Sequence, residues 1–171
     1  EDIVAHVIMA DPFCANLSEI LSDIGDKNIP SGRQLHRGGT YLAMEGPAFS
    51  TRAESNLYRK WGCSIIGMTN HTEARLAREA EIAYASLSMV TDYDCWNQKQ
   101  EEVSVEMVIE NLKINTEVAN KIVYEAAKVI DTKRPISKAH QSLKDGLMTT
   151  KERASKDAQS KVRIFTDNYW N

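Results

Sequence analysis

Hydrophobic and polar positions change their period several times along the chain, and each change marks an element. Residues 3–9 are apolar and rich in β-branched side chains, the pattern of a buried strand, and Asp11-Pro12 closes them with a turn. Asn16-Leu17-Ser18-Glu19 has capping-box spacing. Leu17, Ile20, Leu21 and Ile24 then form one apolar helical stripe that Gly25 terminates. The polar stretch 26–39 reads as a loop and 40–45 as a short strand. Thr51-Arg52-Ala53-Glu54 is a second capping box. It opens a helix that runs to Trp61 and stops at Gly62. A buried strand is expected over 63–69, a third helix from Asn70 to about Glu81, and a mostly apolar strand over 83–91. From Ser104 a long helix carries Val108, Ile109, Leu112, Val118, Ile122, Val123 and Val129, and Thr132-Lys133-Arg134-Pro135 ends it. The tail from Thr149 to Arg163 is polar, lysine-rich and weakly periodic.

Strand and helix alternate, so the class is α/β, with a mostly parallel or mixed central sheet flanked by helices. Residues 1–145 read as one domain and 146–171 as a polar C-terminal tail. An apolar first strand with nothing before it lacks a neighbour, so the expectation is that part of the fold lies outside this chain. The start, Glu1-Asp2-Ile3-Val4, has neither an initiator Met nor a signal pattern, which reads as a fragment or a processed product.

Bulk properties narrow the function classes. With 42% hydrophobic and 26% charged residues, the chain reads as an ordinary globular protein. A net charge of −3 supplies no electrostatic footprint for nucleic acid or an anionic membrane. No apolar run approaches the roughly 20 residues that span a bilayer. Cys14, Cys63 and Cys95 are odd in number and widely spaced, so no metal site is read from them. Reduced thiols in a cytosolic or nuclear compartment are expected.

The candidate chemistry sits where strands end, because ligands of open α/β sheets bind beyond the strands' carboxyl ends. Three such ends fall at Ala48-Phe49-Ser50, Gly67-Met68-Thr69 and Asp92-Tyr93-Asp94. Ser50 and Thr69 lie just before helix N-termini, where hydroxyls and free N–H groups favour an anion. A Ser or Thr in such a place also serves simply as a cap. Asp92 and Asp94, one residue apart on an extended backbone, point to the same side. Two close carboxylates raise at least one pKa and keep a proton available near neutrality. The same Asp-x-Asp spacing also occurs in solvated and cation-binding loops.

Three phrases carry a resemblance: Glu45-Gly-Pro-Ala-Phe-Ser-Thr-Arg-Ala-Glu-Ser55, Gly67-Met-Thr-Asn-His-Thr-Glu73 and Thr91-Asp-Tyr-Asp-Cys-Trp96. Together they resemble the 5′-methylthioadenosine phosphorylases, trimeric members of the purine nucleoside phosphorylase family, over residues 3–143. The resemblance implies a pentosyltransferase that phosphorolyses 5′-methylthioadenosine to adenine and 5-methylthioribose 1-phosphate, with inorganic phosphate as co-substrate and no cofactor. It also implies roles. Phe49 packs on purine and sugar, Ser50 lies near the base, Met68 lies against the ribose and Thr69 reaches phosphate. Asp92 and Asp94 form the adenine-reading, catalytic pair, with Asp92 protonating the leaving base. A protonated carboxyl donates to a purine ring nitrogen while its neighbour accepts from the exocyclic amine, which disfavours a 6-oxo purine. Val108 and Ile109 line the 5′-alkylthio pocket, and His6 crosses to a neighbouring subunit. By spacing alone His6, Phe49 and Met68 are ordinary core residues.

The family's glycine-rich phosphate loop and its Arg-His pair have no counterpart here; Gly38-Gly39 and His36-Arg37 lie in a loop without those roles. The chain alone is therefore expected to be incomplete, working with a companion N-terminal segment in a homotrimer of complete units. The competing expectation is a non-catalytic, phosphorylase-like structural or purine-binding subunit of a larger assembly. Beyond Leu143 the resemblance gives out, and Gly67 stands where relatives are often larger.

Overall fold

The computed structural model describes residues 3–97 and 105–170. The chain divides into two compact units, one of residues 18–70 and 86–134, the other of residues 1–17, 71–85 and 135–171. The expected helix start at Ser104 lies outside the described residues.

In the first unit, α1 (Ala15–Asn28) and α4 (Val105–Lys133) carry the core. Ile24, Ile122 and Ala126 are buried, with Ile20, Leu21, Leu87, Val118, Val129 and Ile130 packed against them. The apolar stripe expected along α4 divides accordingly. Val118, Ile122 and Val129 recur at helical spacing on the core face, whereas Ile109, Leu112 and Val123 fall off it and are exposed. Gly25 does not end α1, which continues to Asn28. A β-carbon there would come within 2.8 Å of Leu35 Cδ2, so the glycine serves packing rather than termination. The first capping box is also absent. Asn16 lies inside α1, and its side chain donates to the Ile136 carbonyl in the second unit, to which residues 15–17 belong.

The sheet of this unit is a parallel pair, β1 (Tyr41–Ala43) and β2 (Ile65–Gly67), in register Tyr41↔Ile65, Leu42↔Ile66, Ala43↔Gly67. Between them α2 (Arg52–Lys60) begins as its sequence predicts. Thr51 Oγ1 accepts the Glu54 N–H at 3.3 Å, and Glu54 Oε2 accepts the Thr51 N–H at 2.7 Å. Bonds from the Thr51 hydroxyl and then its backbone hold the Glu54 carboxyl below the usual carboxylate range. Gly62, at φ +79°, turns the chain out of the helix toward β2.

The apolar stretch 83–91 forms no ladder, contrary to the expected strand. Its C-terminal carbonyls are taken by side chains of α4 instead. Asn115 Nδ2 donates to Val90 O at 2.9 Å and Asn111 Nδ2 to Thr91 O at 3.1 Å. Two asparagines one helical turn apart thus satisfy backbone groups that a neighbouring strand would otherwise take.

In the second unit the expected first strand is reduced to one antiparallel bridge, Ala5↔Leu147. Exposure still alternates along 3–10 as in extended chain, with Val4, His6 and Ile8 on the open side. A strand needs a hydrogen-bonding neighbour along its length, and here the pairing ends after the Gly146 and Met148 contacts with His6 and Val4. Further on, the buried Arg78 of α3 (Asn70–Glu79) donates to the carbonyls of Ile8, Asp11 and Pro12. The tail is more ordered than its weak periodicity suggests. Ser155 caps α5 (Lys156–Thr166) by accepting the Ala158 N–H, and Ala158, Val162, Phe165 and Tyr169 form a half-buried stripe. Tyr169 donates to Glu81 Oε1 at 2.6 Å, and the same oxygen accepts the Leu143 N–H at 3.0 Å.

Two outcomes follow from this packing. Ile122→Ala, at a site 1% exposed, lowers unfolding free energy by about 2–5 kcal/mol in denaturant titration. The bond to Glu81, aided by desolvation, raises the Tyr169 phenol from 10.0 to about 12. A raised phenol favours the folded state while protonated, so that contribution is full below pH 10 and disappears as pH rises toward 12. In an alkaline titration followed by phenolate absorbance, Tyr169→Phe should remove an ionisation near pH 12.

Candidate active site

Parallel pairing of β1 with β2 sets their carboxyl ends side by side. The loop 44–50 leaves one end and 68–69 the other, and the Met44 N–H donates to Gly67 O at 2.8 Å. Gly67 lies under Tyr41, whose hydroxyl occupies the place a β-carbon would take. The tyrosine on the neighbouring strand thus leaves no room for a side chain at Gly67. Gly46 (φ +68°) precedes Pro47 through a cis peptide bond, and a β-carbon on it would come within 2.8 Å of Met68 Sδ. Met68 thus lies against the 44–50 loop, half-buried. Ser50 Oγ points at Met44 Sδ, 3.4 Å away. Phe49 is 88% exposed and so is no core residue; an aromatic ring stands open beside Ser50.

The segment 91–96, which follows no strand, is fastened to the loop after β1. Cys95 Sγ reaches the Ser50 carbonyl at 3.5 Å. On α2, Arg52, Ser55 and Arg59 recur at spacings of three and four and so share a face. Arg52 Nε donates to Cys95 O at 3.2 Å, Ser55 Oγ to Asp94 Oδ2 at 2.5 Å, and the Arg59 guanidinium lies 3.7 Å over the Trp96 ring. Trp96 in turn meets Tyr93 edge-on at 6.0 Å.

The Asp pair departs from the extended geometry expected of it. Asp94 adopts φ +60°, and its N–H donates to Asp92 Oδ1 at 2.8 Å. Aspartate readily accepts a hydrogen bond from backbone two residues on, which turns the chain and tolerates left-handed φ. The Thr91 hydroxyl donates to Asp92 Oδ2 at 2.8 Å. The two carboxylates therefore have different partners. Asp92 is exposed and bonded within its own turn; Asp94 is half-buried and held by Ser55, itself 2% exposed. Each donor named here is neutral, a hydroxyl or an amide, so each carboxylate keeps acceptor capacity for a ligand.

Of the remaining candidates, Val108 is half-buried and Ile109 is 60% exposed, one turn before Asn111. Asn111 bonds both the Thr91 carbonyl and, through its Oδ1, Arg33 Nη1 at 2.9 Å. Thr69 is exposed immediately before α3. His6 is exposed and belongs to the other compact unit. Sequence reasoning did not single out Ser55, Arg52, Arg59 and Asn111. A legible signal existed for the first three, a polar stripe at helical spacing just behind a capping box.

A parallel strand pair with loops converging beyond its carboxyl ends, and an Asp-bearing segment bound to one of them, is the arrangement of a phosphorylase-type α/β fold. The Phosphorylase superfamily model matches residues 1–128, and the chain belongs to that superfamily. It is 63% identical, over 98% of its length, to an S-methyl-5′-thioadenosine phosphorylase of Prochlorococcus marinus, of which it covers 53%. Against the protein of the same name from Thermosynechococcus vestitus the identity is 49%, over 99% of this chain and 58% of that one. A crystal structure of a methylthioadenosine phosphorylase from an antarctic soil metagenomic library superposes with a TM-score of 0.90 at 42% identity, covering 96% of this chain and 57% of that chain. A methylthioadenosine phosphorylase of Schistosoma mansoni in complex with adenine matches with a TM-score of 0.72 at 31% identity, over 85% of this chain and 57% of that chain. The chain thus spans about half the length of these relatives. The match to the Prochlorococcus protein takes in most of the tail, beyond the limit of the resemblance at Leu143.

One consequence is specific to this packing. Gly67→Ala should destabilise the protein by about 1–3 kcal/mol in thermal or denaturant unfolding, because the new methyl meets the Tyr41 ring. Replacing Tyr41 by Val in that background should recover part of the loss.

Proposed function

We propose that this chain forms the base- and 5′-group-binding part of a methylthioadenosine phosphorylase, which converts 5′-methylthioadenosine and phosphate to adenine and 5-methylthioribose 1-phosphate. The observation that carries the reading is the joining of the loops after β1 and β2 with the 91–96 segment in one compact unit: Gly46 against Met68, Cys95 on Ser50, and Asp94 on Ser55. That all the relatives described above are methylthioadenosine phosphorylases supports it.

In this reading Phe49 covers the purine and sugar, Met68 lies against the ribose, and Ser50 sits near the base. Asp94, held by Ser55, accepts from the exocyclic amine. Asp92, exposed at the mouth of the loop, donates a proton to the ring nitrogen of the departing base. Val108 and Ile109 take the alkylthio group, Thr69 bonds phosphate, and His6 reaches the 5′ group of a neighbouring subunit in a homotrimer. The glycosidic bond breaks through an oxocarbenium-like state. General acid catalysis contributes about 10²–10⁴-fold, and orientation with phosphate beneath the sugar supplies the remainder. The further phosphate-binding groups come from chain beyond this sequence. No cofactor takes part. Cys14, Cys63 and Cys95 are free thiols, which accords with a cytosolic setting, extended to the nucleus by resemblance alone.

The test is phosphate-dependent adenine release from methylthioadenosine by the intact native protein. Turnover is expected, with inosine a much poorer substrate, and Asp92→Asn should lower kcat by about 10²-fold or more. A native protein that binds adenine without turnover would replace this reading by the non-catalytic, purine-binding one.

A further inference from the structure

The geometry points to Ser55 as the positioning residue for base recognition: its buried hydroxyl holds the Asp94 carboxylate in place for the purine. This rests on the reading of Asp94 as a base-contacting residue. It adds a group that touches no ligand and acts only through Asp94.

Three observations lead to it. First, Asp94 sits at φ +60°, a region that non-glycine residues seldom occupy and that persists only where the surroundings over-determine it. Second, those surroundings are visible. The Asp94 N–H is fixed by Asp92 Oδ1, the Cys95 carbonyl by Arg52, the Trp96 ring by Arg59, and the carboxylate itself by Ser55 Oγ at 2.5 Å. Third, Ser55 is 2% exposed within α2, whose N-terminus is locked by the Thr51–Glu54 box. A hydroxyl on a fixed turn of helix is a rigid donor, whereas one on a loop would move with its target.

The chemistry explains why a hydroxyl suits this place. A serine at this point of contact gives one hydrogen bond to one carboxylate oxygen and leaves the other oxygen able to accept from a ligand amine. An arginine or lysine there would hold the carboxylate more strongly but would occupy its acceptor sites and neutralise its charge. Arg52 and Arg59, the cations on the same helix face, are directed instead to a carbonyl and a ring. The helix face therefore grips the segment with its charges and orients the carboxylate with its neutral donor.

The experiment measures adenine and hypoxanthine binding by calorimetry on the intact native protein and on Ser55→Ala, Asp94→Ala and the double variant, with thermal unfolding alongside. Alanine is a good helix former, so Ser55→Ala removes the hydroxyl without disturbing α2. It should weaken adenine binding by about tenfold or more while changing hypoxanthine binding little, as expected for one bond to a charged group. In the Asp94→Ala background Ser55→Ala should have no further effect, and Ser55→Cys, which keeps a weaker donor, should fall between serine and alanine. If Ser55→Ala proves unstable, Ser55→Cys carries the same comparison. Equal loss for both bases, or an undiminished effect without Asp94, would overturn the inference in favour of a purely structural role. Adenine affinity unchanged in Ser55→Ala but lost in Asp94→Ala overturns it while sparing the base reading. Unchanged affinity in Asp94→Ala removes both.

Discussion

The parallel pairing of Tyr41–Ala43 with Ile65–Gly67 is the constraint on which the candidate site depends. Three residues pair on each side, and the Tyr41 side chain lies where Gly67 on the neighbouring strand has no side chain. Parallel strands need a crossover, and α2 is that crossover. The loops leaving β1 and β2 emerge at the same end, and the helix between them presents its polar face to the third segment. If the two strands slipped by one residue, Gly67 would leave Tyr41 and the Met44 N–H would lose the Gly67 carbonyl. The Gly46–Met68 contact would go with them.

The 91–96 segment illustrates how backbone is held without a ladder. Asn111 and Asn115 take its carbonyls from one side, and Arg52, Ser55 and Arg59 grip its C-terminal part from another. Side-chain donors can turn the chain through a left-handed residue, which a regular strand cannot do. The cost of that conformation is of order 1–3 kcal/mol for most residues and less for aspartate. The result is two neighbouring carboxylates in unlike surroundings, one in an open turn and one backed by a buried hydroxyl. Unlike surroundings are what allow two like groups to take different roles.

Family membership and this geometry bear on different questions. The match to the Phosphorylase superfamily and the similarity to methylthioadenosine phosphorylases of bacteria and of a flatworm fix the lineage. The chain covers about half the length of those relatives. The local structure bears on the candidate site, whose hydroxyls, ring and carboxylates lie within one compact unit.

The sequence by itself determined whatever depends on near neighbours along the chain. The α2 capping box, its glycine stop and the end of α4 before Pro135 were legible because each rests on contacts within a few residues, and the parallel class was legible from the alternation of strand and helix patterns. The three motif phrases likewise located the candidate site, although the roles of its residues come by resemblance. Tertiary structure decided what depends on partners far away in sequence. Residues 3–9 and 83–91 have strand composition, yet a strand exists only where another offers its hydrogen bonds, so one is reduced to a bridge and the other is held by asparagines. Gly25 read as a stop became a packing position because Leu35 lies over it. The Asp92–Asp94 pair, extended by its spacing, is turned by its own side chain and by Ser55, a residue 39 positions away from Asp94 whose importance only the folded chain reveals.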